Sequence, residues 1–473
     1  MKLYFPAILI LFVIFSCNDD RANSKMDYAY FGGEIINPYS KFIILEKNEK
    51  IADTIRLDGR NRFIHRVDNL QKGLYTFRHG GEYQLILLEP KDSVLFRLNT
   101  LEFDESLVYT GRGAKKNNYF INEFLENEKQ EKYILKLCQL NPKSYQKHID
   151  SLRAKKLKKL ERFNKKFKGS QLFNKIAKAN IDYSYYSSKE VYPFIHYGRN
   201  KGRFLKSLPK DFYSYRKQIN YNDTFFKNYP IYQTFLRHNI NTVSLEAHSN
   251  HSNEKGFSWG NLCYNLDRLQ LVDSLIKNDD IKNLLLHHYA LKYISLSNNK
   301  ENNSTILQSY INKSTDNKAK TTLTNYANSL KKLERGSTLP SFKVLDYNNK
   351  EFEINSLVKS PTVVSFWSHV YYDHFKKSQR KIKELKKKYP EVKFITINID
   401  NIDAEKPKQT LKECRFKYND QYLFKNPKET TEMLAVYPMT KTILIDEDKK
   451  IVSPNSNMFT RHFEQQLLGL INR

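Results

Sequence analysis

The sequence predicts a multidomain chain: an N-terminal all-β, sandwich-like domain, an α-helical middle region and a C-terminal α/β domain. Three observations carry this. Turn-forming residues punctuate the first part at intervals of roughly 8–12 residues, the spacing of short antiparallel strands. Apolar residues three and four apart then take over, the period of amphipathic helices. Near the C-terminus two apolar runs flank one amphipathic stretch, the pattern of a β-α-β unit.

The chain opens with Met1-Lys2, an apolar run from Leu3 to Phe15, and Ser16-Cys17. A positive start, a short apolar core and a small residue before a cleavage point make a secretory signal over residues 1–16. An anchor helix would need about 20 apolar residues, and Asn18-Asp19-Asp20-Arg21 ends this run early. Ile14-Phe15-Ser16-Cys17 resembles a bacterial lipobox, which implies cleavage before Cys17 and lipid on its thiol. Residues 17–27 then suit a tether, and Asn18-Asp19-Asp20 is similar to the acidic export tag of Bacteroidetes surface lipoproteins.

In residues 28–113, Gly32-Gly33, Asn37-Pro38, Asp58-Gly59, Gly73 and Gly80-Gly81 separate segments such as Phe42–Leu45, Leu74–Phe77 and Gln84–Leu88. Lys72-Gly73-Leu74-Tyr75, Leu88-Glu89-Pro90-Lys91-Asp92-Ser93-Val94 and Phe103–Gly111 resemble the β domain that precedes thioredoxin-like domains in Bacteroidetes lipoproteins. Residues 114–335 read as helical: Ile121, Phe124 and Leu125 share a face, as do Leu152, Leu157 and Leu160. The basic run Lys155–Arg162 is amphipathic, and a solvated face packed by its leucines is its ordinary reading. Tyr183, Tyr185, Tyr186, Tyr192, Phe194 and Tyr197 are expected to form helix–helix core with hydroxyls at the rim rather than a stacking platform.

Residues 336–473 hold the most informative stretch. Strand Thr362–Phe366, a helix reaching Tyr389 and strand Val392–Asp400 form the β-α-β unit. Asn348-Asn349 suits a hairpin turn. Val436–Asp446 and Lys449–Val452 close an antiparallel hairpin before a terminal helix over Phe459–Leu470. Gly336-Ser337-Thr338-Leu339-Pro340-Ser341-Phe342 and Phe366-Trp367-Ser368-His369-Val370-Tyr371-Tyr372-Asp373-His374 resemble TlpA-like thioredoxin-domain lipoproteins of the Bacteroidetes type. That family's pattern is Phe-Trp-Ala-x-Trp-Cys-x-x-Cys. Its redox motif positions fall on Tyr371 and His374, so the resemblance implies a thioredoxin-like fold with a degenerate, Cys-less active site. Its chemistry needs a low-pKa thiolate at the helix N-terminus and a second thiol to resolve the mixed disulfide. The family's later Glu and Pro are Lys377 and Gln379 here, which predicts an unkinked helix. Counting back from Asp446 places the family's cis-Pro position at Thr440, with a trans bond expected there unless a shifted turn uses Pro438. A groove left at such a site would be walled by Trp367, Val370, Tyr371 and Met439.

Composition bounds the rest. The net charge is +28, with 40% hydrophobic and 14% aromatic residues. The basic residues are dispersed, so a nucleic-acid partner is not expected. Four cysteines, at 17, 138, 263 and 414, include no Cys-x-x-Cys and no zinc-finger spacing. Cys414 is taken as structural because it lies far along the chain from the turn. His369, Asp373 and His374 could in principle hold zinc or copper, but a first-turn Asp is ordinary helix electrostatics. No catalytic residue, cofactor or metal is therefore expected. The expectation is a cell-envelope lipoprotein, lipid-anchored on the outer membrane's periplasmic or surface side, with a binding or scaffolding role toward a protein or peptide. The rival expectation is a thiol-disulfide oxidoreductase.

Overall fold

The structure, a computed structural model, describes residues 27–48, 50–252, 256–401 and 404–472, the Val370 side chain excepted. The signal segment and Cys17 lie outside the described residues, as does the Val370 side chain expected in the groove. Among the described residues, no helix is long and apolar enough to cross a membrane.

The first part is a sandwich. Its strands are β1 (Ala29–Ile36), β2 (Phe42–Lys47), β3 (Lys50–Arg56), β4 (Arg62–Val67), β5 (Gly73–His79), β6 (Glu82–Leu88), β7 (Ser93–Asn99) and β8 (Val108–Arg112). They form two four-stranded sheets, β4-β1-β7-β8 and β3-β2-β5-β6. Burial alternates along β5 residue by residue, as a strand with one face on a core requires. Phe31 and Phe96 from one sheet meet Phe77 from the other, at ring distances of 5.7 and 5.0 Å. Gly33 permits the parallel pairing of β1 with β7, because a Cβ there would stand 2.5 Å from the Phe96 carbonyl oxygen.

The helical region holds α1 (Ala114–Leu137), α2 (Pro142–Phe167), α3 (Gln171–Ile195), α4 (Lys201–Lys206), α5 (Pro230–His251), α6 (Leu262–Leu275), α7 (Asp279–Leu296), α8 (Lys300–Lys313) and α9 (Asn317–Lys332). Side chains of Asn or Ser cap α2, α3, α6, α7 and α8 through backbone N–H groups of the first turn. The tyrosine-rich segment is core as expected except at its end, where Tyr197 is exposed beyond the last turn of α3. Tyr186 stacks on Tyr215 at 4.1 Å and Tyr192 on Tyr145 at 4.0 Å, while the Tyr185 hydroxyl reaches Asp150. The basic run of α2 is not wholly solvated: Lys159 pairs at 2.6 Å with Glu123 of α1, a carboxylate that is fully buried.

The C-terminal part contains β9 (Lys343–Leu345), β10 (Glu351–Glu353), α10 (Ile354–Leu357), β11 (Thr362–Trp367), α11 (Tyr372–Lys388), β12 (Lys393–Asn398), α12 (Glu405–Glu413), β13 (Gln421–Phe424), α13 (Pro427–Met433), β14 (Lys441–Ile445), β15 (Ile451–Asn457) and α14 (Phe463–Ile471). The sheet order is β10-β9-β13-β12-β11-β14-β15. β11 runs parallel to β12 and antiparallel to β14, and β14 pairs antiparallel with β15. A β-α-β unit followed by β-β-α around a central strand is the thioredoxin-like fold. Every residue of β11 is buried, because the strand is covered on both faces. Asn349 takes the left-handed conformation in the β9–β10 hairpin (φ 61°).

Candidate functional site at the N-terminus of α11

β11 ends at Trp367, a short 3₁₀ turn follows over His369–Tyr371, and α11 begins. Tyr371 stands at the N-cap of α11 and His374 lies in its first turn, so both sit at the helix N-terminus. Tyr371 is 52% exposed. His374 is half-buried, with Nε2 3.1 Å from the Ser378 hydroxyl. Burial, with Lys377 adding, pushes its imidazole pKa below the ordinary value. Neither side chain carries the sulfur that disulfide exchange requires.

The turn is held from below by Asp400, just beyond β12. Its carboxylate accepts from the Ser368 hydroxyl at 2.5 Å, the His369 backbone N–H at 2.7 Å and the Asn398 amide at 3.1 Å, and meets His369 Nδ1 at 2.8 Å. Burial alone would raise the Asp400 carboxyl pKa; the hydrogen bonds from His369 and Ser368 outweigh it and hold it below the usual range. His369 Nε2 meets the Thr410 hydroxyl at 2.9 Å. Asp373 pairs outward with Lys376 at 3.3 Å. His369, Asp373 and His374 thus turn toward three different partners and do not converge as metal ligands.

The structure bears on three sequence readings. The cis peptide bond is Tyr437–Pro438, the shifted turn that the sequence left open, and not the counted position Thr440. Counting back assumed a fixed loop length. Instead a tight turn, closed by the Lys441 N–H on the Pro438 carbonyl at 2.9 Å, adds Met439 and Thr440 before β14. Trp367 cannot wall a groove, since it is fully buried and stacks on Phe375 at 4.3 Å. Cys414, remote in sequence, lies beside the turn: its Sγ is 3.2 Å from the Tyr372 hydroxyl.

Met439 is partly buried against the cluster that includes Leu434 and Val436. The backbone beside Pro438 is already engaged within the chain. The Tyr437 N–H donates to Ala435 at 2.8 Å, and the Tyr326 hydroxyl of α9 donates to the Tyr437 carbonyl at 2.9 Å. An extended peptide pairs through such backbone groups, and here they are occupied.

The open space lies elsewhere. Tyr371, Tyr372, Asp373 and His374 form one wall of a cavity of about 540 Å³ between the three regions. Leu74 and Leu85 of the sandwich form a second wall, and Phe120, Phe124, Ile176 and Ile231 of the helices a third. Polar groups are few: Arg78, Glu82, Asp104 and Asn180 among them. Burial raises the carboxyl pKa of both Glu82 and Asp104, and each has acidic neighbours that push the same way. The buried Asn180 Oδ1 accepts no hydrogen bond among the described residues. The size, the apolar walls and the few polar groups are those of a ligand site. Sequence periodicity could not have shown this cavity, because its walls come from segments about 300 residues apart.

No family model matches the chain, and no curated protein matches it. Similar solved structures include a provisionally assigned thiol-disulfide oxidoreductase from Bacteroides vulgatus, with 17% identity, 29% of this chain and 98% of that one covered, and a TM-score of 0.27. The thioredoxin domain of a thiol-disulfide oxidoreductase from Bacteroides vulgatus gives 18%, 30%, 99% and 0.25. A thiol:disulfide interchange protein from Bacteroides sp. gives 17%, 30%, 93% and 0.26.

Proposed function

We propose that this protein is a cell-envelope lipoprotein whose thioredoxin-like domain binds rather than exchanges disulfides. The observation that carries the reading is the pairing of Tyr371 and His374, at the two motif positions, with the apolar cavity they face. The cavity suits an apolar group bearing a hydrogen-bond donor, which the Glu82 and Asp104 carboxyl groups would accept. Such a group could belong to a small molecule or to a side chain of a protein partner. Membrane attachment rests on Cys17 and its flanking signal; a second acyl chain is what makes such anchoring stable, and the intact mass of detergent-extracted protein reads it directly.

A second reading, thiol chemistry through Cys414, is favoured by the approach of its sulfur to Tyr372. One experiment separates the two. Purified protein with dithiothreitol should not accelerate insulin disulfide reduction, and Cys414→Ala should change nothing. Native mass spectrometry of protein purified from its own envelope should show a co-purifying molecule that Tyr371→Ala loses. Because Tyr371 is half exposed, that variant should cost less than about 1 kcal/mol of stability. Insulin turnover abolished by Cys414→Ala would replace the binding reading with the redox one. A lower melting temperature with retention unchanged would make Tyr371 a packing residue only.

A further inference from the structure

Far from the thioredoxin-like turn, α5 and α6 bring four metal-ligating side chains to one point. His248 and His251 stand three residues apart on the last turn of α5, and Cys263 and Asp267 stand four apart on α6. Both spacings place a pair on one helix face. One ligand atom from each of the four lies within 4.8 Å of all the others. Asp267 Oδ2 is 2.9 Å from His248 Nδ1 and 3.1 Å from His251 Nε2. Cys263 Sγ is 4.0 Å from both His251 Nδ1 and Asp267 Oδ2.

We infer that His248, His251, Cys263 and Asp267 form a tetrahedral site for a divalent transition ion of the zinc class. Tetrahedral zinc, with bonds of about 2.0–2.3 Å, sets its ligand atoms roughly 3.3–3.8 Å apart. The cluster is therefore within about 1 Å of the required spacing. The adjustment falls to His251 and Cys263, which are exposed, while His248 is buried and provides a fixed corner. The donor chemistry selects the ion. Calcium and magnesium take oxygen ligands, whereas imidazole with thiolate suits zinc and its neighbours.

A histidine–carboxylate–histidine hydrogen-bond network alone would account for Asp267 and the two imidazoles. It leaves the thiol at the fourth corner unused, whereas a zinc site takes it as a ligand. Four protein ligands close the coordination sphere, so the role is structural rather than catalytic. The ion would tie the end of α5 to the start of α6 across residues 252–261. His248 also lines a cavity of about 300 Å³ with Lys201, Arg203 and Gly256, which gives an ion a route in from solvent. Sequence spacing did not suggest this centre, because its two halves are each too short to be a motif and meet only when the helices pack.

The test uses the untagged full-length protein. After equilibration with zinc and removal of the excess, elemental analysis should find about one equivalent per chain. Cobalt in its place should give a thiolate-to-metal charge-transfer band in the near ultraviolet. Cys263→Ala should abolish that band, and both Cys263→Ala and His251→Ala should lose affinity by more than the roughly 10–100-fold typical of residues that merely support a ligand. Zinc should raise the melting temperature of the parent but of neither variant. Cys414→Ala, a control outside the cluster, should behave as the parent. Absence of stoichiometric zinc in the parent overturns the proposal. So does equal affinity in the parent and both variants, whose substituted side chains are exposed and so leave the fold intact.

Discussion

Lys441 opens β14 with its amino group inside the protein. Nζ donates to the carbonyls of Leu434 and Ala435, at 2.8 and 3.0 Å, where α13 ends. Burial pushes its pKa down to about 7. A depressed folded-state value means the folded chain prefers the neutral amine. Between about pH 7 and pH 10.5 the unfolded chain then holds one more proton, so this group's contribution to stability is present at high pH and is lost as pH falls toward 7. Lys441→Met removes the linkage, whatever it does to the two carbonyls. Denaturant unfolding at a series of pH values should show the parent gaining stability relative to the variant on going from pH 7 to 10, with a limiting slope of about 1.4 kcal/mol per unit. Parallel profiles would show that the group does not titrate there.

At the scale of the element, α11 is continuous through its middle. Gln379 lets the helix run unbroken from Tyr372 to Lys388. Its side chain exchanges hydrogen bonds with the amide of Gln421 on β13, at 2.8 and 3.3 Å, and both residues are buried. Removing one partner strands the other inside the protein, which costs about 1–3 kcal/mol, whereas replacing both by apolar groups can be nearly neutral. Gln379→Leu and Gln421→Leu should therefore each destabilise, and the double variant should be more stable than the sum of the two predicts. A double-mutant cycle with no coupling would mean the pair is solvated.

For the whole molecule, two aromatic contacts tie the thioredoxin-like domain to the rest near the N-terminus of α11. Tyr39, between β1 and β2, packs on Tyr372 with ring centroids 5.4 Å apart, and Tyr326 of α9 bonds the Tyr437 carbonyl. Tyr372 of the first lines the cavity, and the second closes the backbone beside Pro438. If they couple the regions, the parent should unfold in one calorimetric transition. Tyr39→Ala combined with Tyr326→Ala should separate a transition of residues 336–473 from the remainder, with the total enthalpy little changed. A single transition in the double variant would place the coupling elsewhere in the interface.

The sequence by itself determined the layers of this protein and the absence of thiols at Tyr371 and His374. Alternation along β5, the three-four period of the helices and the two apolar runs around α11 are local properties, set by whether each side chain can leave water. Motif positions counted forward from Phe366-Trp367 were legible for the same reason, since strand, turn and helix follow one another directly. The tertiary structure alone decided the rest. Pro438 rather than Thr440 takes the cis position because loop length is not periodic. Trp367 is core rather than groove because α11 and its Phe375 cover it. Cys414 meets Tyr372, and His248, His251, Cys263 and Asp267 meet one another, because packing between elements sets distances that no spacing along the chain encodes. The cavity before Tyr371 exists only once three separately patterned regions close against each other.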